Sequence, residues 1–396
     1  MRSLWLQVAA VTSINLKSIA QRRWLSLSTV IAIALVVVVL LAFLAMANGF
    51  QRTIAGSGAE DVAIVLRAGS QAELNSTVSR DQVRVFEDGP GIARGSDGKP
   101  LLSPELYLVV DGIKRSTGTK ANLPLRGIGE QGGEVRRNVV ITAGRLFNRG
   151  SNEIVVGKAL LREFEGLDLG STVAFGATRW KVVGIFEAGG GVFESEIWAD
   201  LNVVQSLFNR NNIVQTLRAR LTSPAALTEL KSFSDNDPRL KLDVKSEAAY
   251  FAEQASQTSD LIQKLGWPLA IAMAVGAIAG ALNTMYSSVA SRATEIATLR
   301  AIGFGGFPAF VGTLAESLLL AGIGGLLGAA ATYLVFDGLT ASTLGGNFTQ
   351  VVFDFKLSPV LIVEGVALAL IVGLIGGLFP AIRAARLPIV EGLSPH

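Results

Sequence analysis

The chain has 396 residues, of which half are hydrophobic, 17% are charged and none is cysteine; its formal net charge is +3. That balance is too apolar for an ordinary soluble protein and too polar for a chain lying wholly in lipid. With no cysteine and one histidine, at position 396, the sequence excludes disulfides, iron–sulfur clusters, thiol catalysis and a Ser-His-Asp triad, and leaves no conventional zinc site.

In chain order, residues 1–23 hold Arg2, Lys17, Arg22 and Arg23 with no acid, and LWLQVAAVTSINLKSI reads as an amphipathic helix lying in the cytoplasmic interface. Trp24 to Phe50 is uncharged and long enough to cross a bilayer, which takes about 20 helical residues. Ala45-Met46-Ala47 imitates a signal-peptidase site, but the apolar run exceeds the roughly 7–15 residues of a signal peptide, so an uncleaved anchor is expected over 24–50. The 51–264 segment reads as a mixed α and β extracytoplasmic domain. β-rich runs recur at 61–66, 106–110, 139–142, 154–156 and 180–186, with short helices at 158–165 and 225–232. A helix over 246–264 is expected to run into a second span at 265–290. A charged segment, 291–307, follows; spans three and four are expected at 308–336 and 359–382, separated by an extracytoplasmic loop at 337–358, and the cytoplasmic tail is 383–396.

The expected fold is therefore an integral membrane protein: four transmembrane α-helices with a large α+β extracytoplasmic domain inserted between helices 1 and 2. Lys and Arg concentrate in residues 1–23, in the 291–307 loop and in the tail, which places both termini in the cytoplasm. Glycines four apart (Gly276 and Gly280, Gly324 and Gly328, Gly373 and Gly377) predict close helix packing in three spans. The first span has no interior glycine and is expected to face lipid or a bulkier neighbour.

Ser288 to Gly303, SVASRATEIATLRAIG, is a short charged segment held between two long apolar runs. Arg292 and Glu295 are spaced for an intrahelical pair, and Arg300 lies on a nearby face. Arg292, Glu295, Ile296, Leu299 and Arg300 are the candidate coupling residues of a lever that a cytoplasmic partner could push. Glu316 lies inside the third span, where a carboxylate is costly and marks function by default; pairing with a lever or neighbouring-helix arginine is expected. Glu364, near the outer end of the fourth span, reads as an interface residue. A Walker A loop is absent: Gly98-Lys99 is followed by Pro100 and Gly157-Lys158 by Ala159. No basic stripe with interleaved aromatics suggests nucleic acid.

These residues resemble the permease subunits of MacB/FtsX-type ABC transporters, the mechanotransmission family. Between spans two and three that family resembles E-R-T-R-E-I-G-x-L-R-A-I-G, against S-R-A-T-E-I-A-T-L-R-A-I-G at 291–303. After the last span it resembles P-A-x-R-A-A-R-L-x-P-x-E-A-L, against P-A-I-R-A-A-R-L-P-I-V-E-G-L at 380–393, which carries Arg383, Arg386 and Glu391. Segments 144–161 and 178–200 also resemble its extracytoplasmic domain. Ser291, Ala297 and Pro388 depart from the pattern. The resemblance implies a bacterial inner-membrane, multi-pass, non-catalytic permease without a fused ATPase. It implies no cofactor of its own, with ATP bound by a separate cytoplasmic ABC ATPase. It further implies a homodimer or pseudo-dimer in membrane lipid, a periplasmic adaptor, and export of a small molecule, peptide or lipid-like substrate. A lipoprotein-releasing permease, an FtsX-like scaffold activating a cell-wall hydrolase and an anchored exterior enzyme are the alternatives.

Overall fold

The computed structural model describes residues 2–136, 138–344 and 350–389. Helix α1 (Arg2–Ser18) and a 3-10 turn (Ile19–Arg22) lead into α2 (Arg23–Ala55). Then come β1 (Val62–Arg67), β2 (Val78–Ser79), α3 (Arg80–Glu87), β3 (Leu102–Ile113), β4 (Lys120–Ile128), α4 (Gly132–Val135), β5 (Val140–Gly144) and β6 (Glu153–Gly157). The same segment continues with α5 (Leu160–Glu163), β7 (Thr172–Phe175), β8 (Thr178–Glu187), β9 (Ile197–Asp200), α6 (Leu201–Leu207), β10 (Ile213–Val214), β11 (Thr216–Arg220), α7 (Ala226–Asn236) and β12 (Leu242–Ser246). Helices α8 (Glu247–Ser291), α9 (Ala293–Ala301) and α10 (Gly306–Phe336) follow. A hairpin of β13 (Thr340–Leu344) and β14 (Gln350–Asp354) then precedes α11 (Pro359–Arg386).

The chain forms two compact units, one from Met1–Asn48, Leu261–Leu339 and Phe355–His396, the other from Gly49–Asp260 and Thr340–Asp354. In the first, α2, α8, α10 and α11 are long and apolar enough to cross a membrane. A Cβ added to Gly373 would stand 2.3 Å from the Ala321 Cβ, and one on Gly377 2.5 Å from the Ser317 Cβ, so α11 meets α10 through glycine. Gly324 and Gly328 receive Ile33 and Val37 of α2. The first span, expected to face lipid or a bulkier neighbour, is the most covered of the four, with half of its apolar stretch buried against 28–39% for the others, and the neighbour it meets offers glycines. Branched side chains on α2 fill the notch that the α10 glycines leave. A Cβ added at Gly276 or Gly280 would meet nothing within 4 Å, so among the described residues no other helix packs on that third pair.

The second unit is built on a ten-stranded mixed sheet in the order β12-β1-β11-β3-β4-β9-β6-β8-β5, with β7 pairing β8. β1 is buried on both faces, as its unbroken VAIVL run requires; β8 alternates, burying Trp180, Val182 and Phe186. Trp180 joins Leu123, Leu125, Ile154 and Val156 in the main core. The 158–165 helix expected from KALLREFE shortens to Leu160–Glu163, because Phe164 turns extended and is fully buried. The 337–358 segment, read as a plain loop, contains the β13–β14 hairpin. Its Val352 amide donates to Ser195 Oγ at 2.9 Å, and Phe353 meets Phe50 edge-on at 5.5 Å.

A charge network lies inside this unit. Arg126 donates to Glu73 (2.6 Å), Glu105 (2.9 Å) and Glu196 (2.6 Å); Arg218 donates to Glu73 (2.9 Å), Glu105 (2.6 Å) and Glu247 (2.7 Å). Arg136 makes a two-pronged contact with Glu105. Burial pushes the Glu73 carboxyl up, but Arg126 and Arg218 more than offset this and hold it at about 2. Glu105 is likewise desolvated and is held below its ordinary value by Arg136, Arg218 and Arg126. Because Glu247 opens α8, the network fastens the first turn of that helix to β11.

Candidate functional site

Helix α9 is set off from α8 by one residue, Arg292, whose φ of −111° and ψ of 12° take it out of the helix. Glu295 in the first turn and Arg300 in the last match the helix dipole. The helix ends where Gly303 adopts φ +103°, a conformation closed to residues with a side chain. Gly306 then lets α10 start against the chain end of α11, since a Cβ there would lie 2.5 Å from the Ala385 carbonyl oxygen.

Glu316 of α10 gathers the elements around this helix. Its side chain is 3% exposed, with Arg292 Nη1 at 3.3 Å from Oε2 and Arg22 Nη2 at 3.8 Å from Oε1. Ser288 Oγ donates to Oε1 at 3.4 Å. Arg292 also donates from Nε to Glu295 at 3.3 Å and from Nη2 to Asn15 Oδ1. Arg22 donates to the Ser288 carbonyl at 3.2 Å and to Ser18 Oγ at 2.8 Å. One carboxylate therefore joins α8, α9, α10 and the turn before α2, and Asn15 adds α1. Ionised groups removed from water are costly unless paired and hydrogen-bonded, so these partners are mutually dependent.

The remaining sequence-picked residues separate by exposure. Ile296 is buried with Val289, Ala309 and Ala384, so it packs on its own helices; Leu299 is half-buried. Arg300 is half-buried and donates to the Leu387 carbonyl, which fastens α9 to the end of α11 instead of leaving the guanidinium free on a helix face. Glu295 keeps its side chain 60% exposed despite its contact with Arg292. Arg383 is exposed, its guanidinium 5.6 Å from the Tyr286 ring, and Arg386 ends α11 in the open. Glu391 lies outside the described residues. Sequence reasoning missed Asn15, Ser288 and the partner role of Arg22, which it used only to set orientation. Ile302, just past α9, is 69% exposed. The readable signal for Asn15 was its place on a stripe with Gln7 and Val11. No group of three or more metal-ligating side chains gathers among the described residues.

Residues 26–232, just over half of the chain, match the MacB-like periplasmic core domain. The chain belongs to the MacB/FtsX family of ABC transporter permeases. Residues 268–389 match the FtsX-like permease C-terminal domain, which takes in α9, Glu316 and the Arg383–Arg386 end of α11. Among relatives, the macrolide export ATP-binding/permease protein MacB 1/2 of Paracoccus denitrificans is 27% identical over 71% of this chain and 43% of its own length. A macrolide export ATP-binding/permease protein MacB of Rhodopseudomonas palustris is 24% identical over 85% of this chain and 56% of its own. The chain thus spans about half the length of these relatives. A crystal structure of the periplasmic region of MacB from Actinobacillus actinomycetemcomitans is similar over half of the chain and 94% of its own, at 14% identity and a TM-score of 0.38. Four spanning helices and this MacB/FtsX membership make the chain a multi-pass inner-membrane permease.

Proposed function

We propose that this permease converts ATP hydrolysis by a cytoplasmic ABC ATPase, on a separate subunit, into movement of its sheet domain, and that the movement drives export. The observation that carries the reading is the Glu316 clasp. A short helix whose inner charges are locked to α1, α8 and α10 passes a push to all of them at once, while its outer side chains stay free. Glu295 and Ile302 form that outer contact; Arg292, Ile296 and Arg300 hold the lever to its own helices. The ATPase biases the permease only as far as it binds one transmembrane state better than the other. Helix α8 carries the displacement outward, since its first turn is bound to β11 through Glu247 and Arg218. Export of a small molecule, peptide or lipid-like substrate is in keeping with the macrolide export named in the relatives' descriptions, and a dimer working with a periplasmic adaptor belongs to the same reading.

The test replaces Glu295→Gln and Ile302→Ser together in cells that co-express the ATPase. Neither side chain is buried, so membrane abundance should match wild type, whereas co-purification of the ATPase and transport should both be lost. Wild-type co-purification at matched abundance would remove α9 as the coupling element.

A further inference from the structure

Helix α1 turns polar side chains inward and leaves large apolar ones outside. Its inward stripe is mixed: Val11 is 5% and Asn15 3% exposed, Gln7 is half-buried and Ser18 bridges the Asn15 carbonyl and Arg22. Its outward side carries large apolar side chains, with Trp5 72% and Leu6 71% exposed and Leu16 in line with Trp5. Helices of soluble proteins show the reverse, apolar toward the core and polar toward water. An apolar outer face rich in Trp and Leu is what a helix lying in the headgroup–acyl boundary presents to lipid. Trp24, 75% exposed at the start of α2, marks the same level, in keeping with aromatic belts at membrane interfaces. Lys17 and Arg23 are exposed nearby, and no acidic residue precedes Glu60. That charge is complementary to an anionic leaflet.

The inward stripe is not idle. Asn15 accepts from Arg292 at the start of the lever, and Gln7 accepts from the Gly305 amide at 3.4 Å, just past the lever's end. Val11 and Asn15 sit where Gly312 leaves room, an added Cβ there falling 2.7 Å from Asn15 Nδ2. We propose that α1 is a brace seated in an anionic lipid leaflet that holds the start of α9 and the turn that leads from it into α10, so that the lever's resting position is set from the bilayer. The occupant of its outer face is the leaflet, bound through Trp5, Leu6 and Leu16 with Lys17 and Arg23 at the headgroups. Only the name lever rests on the function proposed above.

Because the chain has no cysteine, single spin labels can be placed without background. The full chain, without any ATPase, would be reconstituted in nanodiscs of phosphatidylglycerol with phosphatidylethanolamine, or of phosphatidylcholine alone. A label at Leu6→Cys should be reached by oxygen and shielded from a water-soluble nickel chelate. Access to nickel would place the face in water, and shielding from both would mean a protein covers it; either overturns the proposal. A label at Thr298→Cys on the exposed side of α9 should lose its immobile spectral component when Asn15→Ala is added, and also when the anionic lipid is removed. Ser13→Ala, on the exposed side of α1, should change nothing. If Asn15→Ala does not accumulate, Gln7→Ala should produce the same loss. A lever label indifferent to these substitutions or to lipid charge would refute the brace. Both readings stand apart from the ATPase, so failure of the coupling reading leaves them interpretable.

Discussion

At residue scale the chain relies on buried charge twice, and the two clusters differ in what they hold. Glu316 with Arg22 and Arg292 fastens helices, while Glu73, Glu105 and Glu196 with Arg126, Arg136 and Arg218 fasten strands. The second cluster predicts an acid limit for the sheet domain. Glu73 falls from an ordinary 4.5 to about 2 on folding, so its stabilisation is fully present above pH 4.5 and is lost as the pH drops through 2. Linkage puts the loss at about 3 kcal/mol for Glu73, and Glu105, shifted the same way, adds to it. Thermal unfolding followed by tryptophan fluorescence should show a falling midpoint from pH 4.5 to 2. Substituting Glu73→Gln should flatten that slope while lowering stability at pH 7; an unchanged slope would show that the carboxylate is not held down. None of these acids and arginines stood out in the sequence, where isolated charges read as solvated surface. Their pairing depends on contacts such as Arg218 with Glu73, 145 positions apart.

At the scale of elements, glycine decides which helices touch, and the three glycine pairs separate by what faces them. Substituting Gly328→Leu would drive a side chain into the Ala34 carbonyl at 2.7 Å and Val37 Cβ at 2.8 Å. A backbone neighbour cannot give way as a side-chain tip can, so the expected cost is in the range of about 1–3 kcal/mol seen for overpacking, or more. Gly280→Leu meets nothing within 4 Å in the same chain. It should leave the thermal midpoint of the monomer in detergent unchanged while Gly328→Leu lowers it. Equal losses from both would mean that α8 is covered by something other than lipid. All three pairs were visible as G-x-x-x-G spacing, but the spacing is identical in each, and only the neighbour distinguishes them. The β13–β14 hairpin escaped for a related reason. TASTL and QVVFD lack a strong alternating pattern, and their strand form is supported by Ser195 and Phe50, far away in the chain.

For the whole molecule, the arrangement of apolar runs and basic flanks sets the expected topology. Reporter fusions after residue 60 and after residue 340 should report the exterior, and fusions at 305 or at the C-terminus the cytoplasm. The motivating asymmetry is Arg292 and Arg300 on one side of the spans against Asp337 and Asp354 on the other. A cytoplasmic signal after residue 60 would reverse the assignment of the sheet domain and with it the direction in which the lever works.

Apolar length is a local property, so the four spans, the long insert between the first two and half of the ten strands of its sheet were legible without coordinates. The same holds for the charged segment that forms α9: three charged residues between two apolar runs need no partner to be noticed. Which face of a helix meets which neighbour is a property of distant pairs, and there the sequence was silent or misleading. Asn15 looked like one polar residue in a mixed helix until its contact with Arg292, 277 positions away, put it on the inward side. Arg300 looked free until the Leu387 carbonyl was found within its reach. Hydrophobic patterning records how much of a segment avoids water; only the folded chain decides whether lipid, glycine or a buried carboxylate takes the water's place.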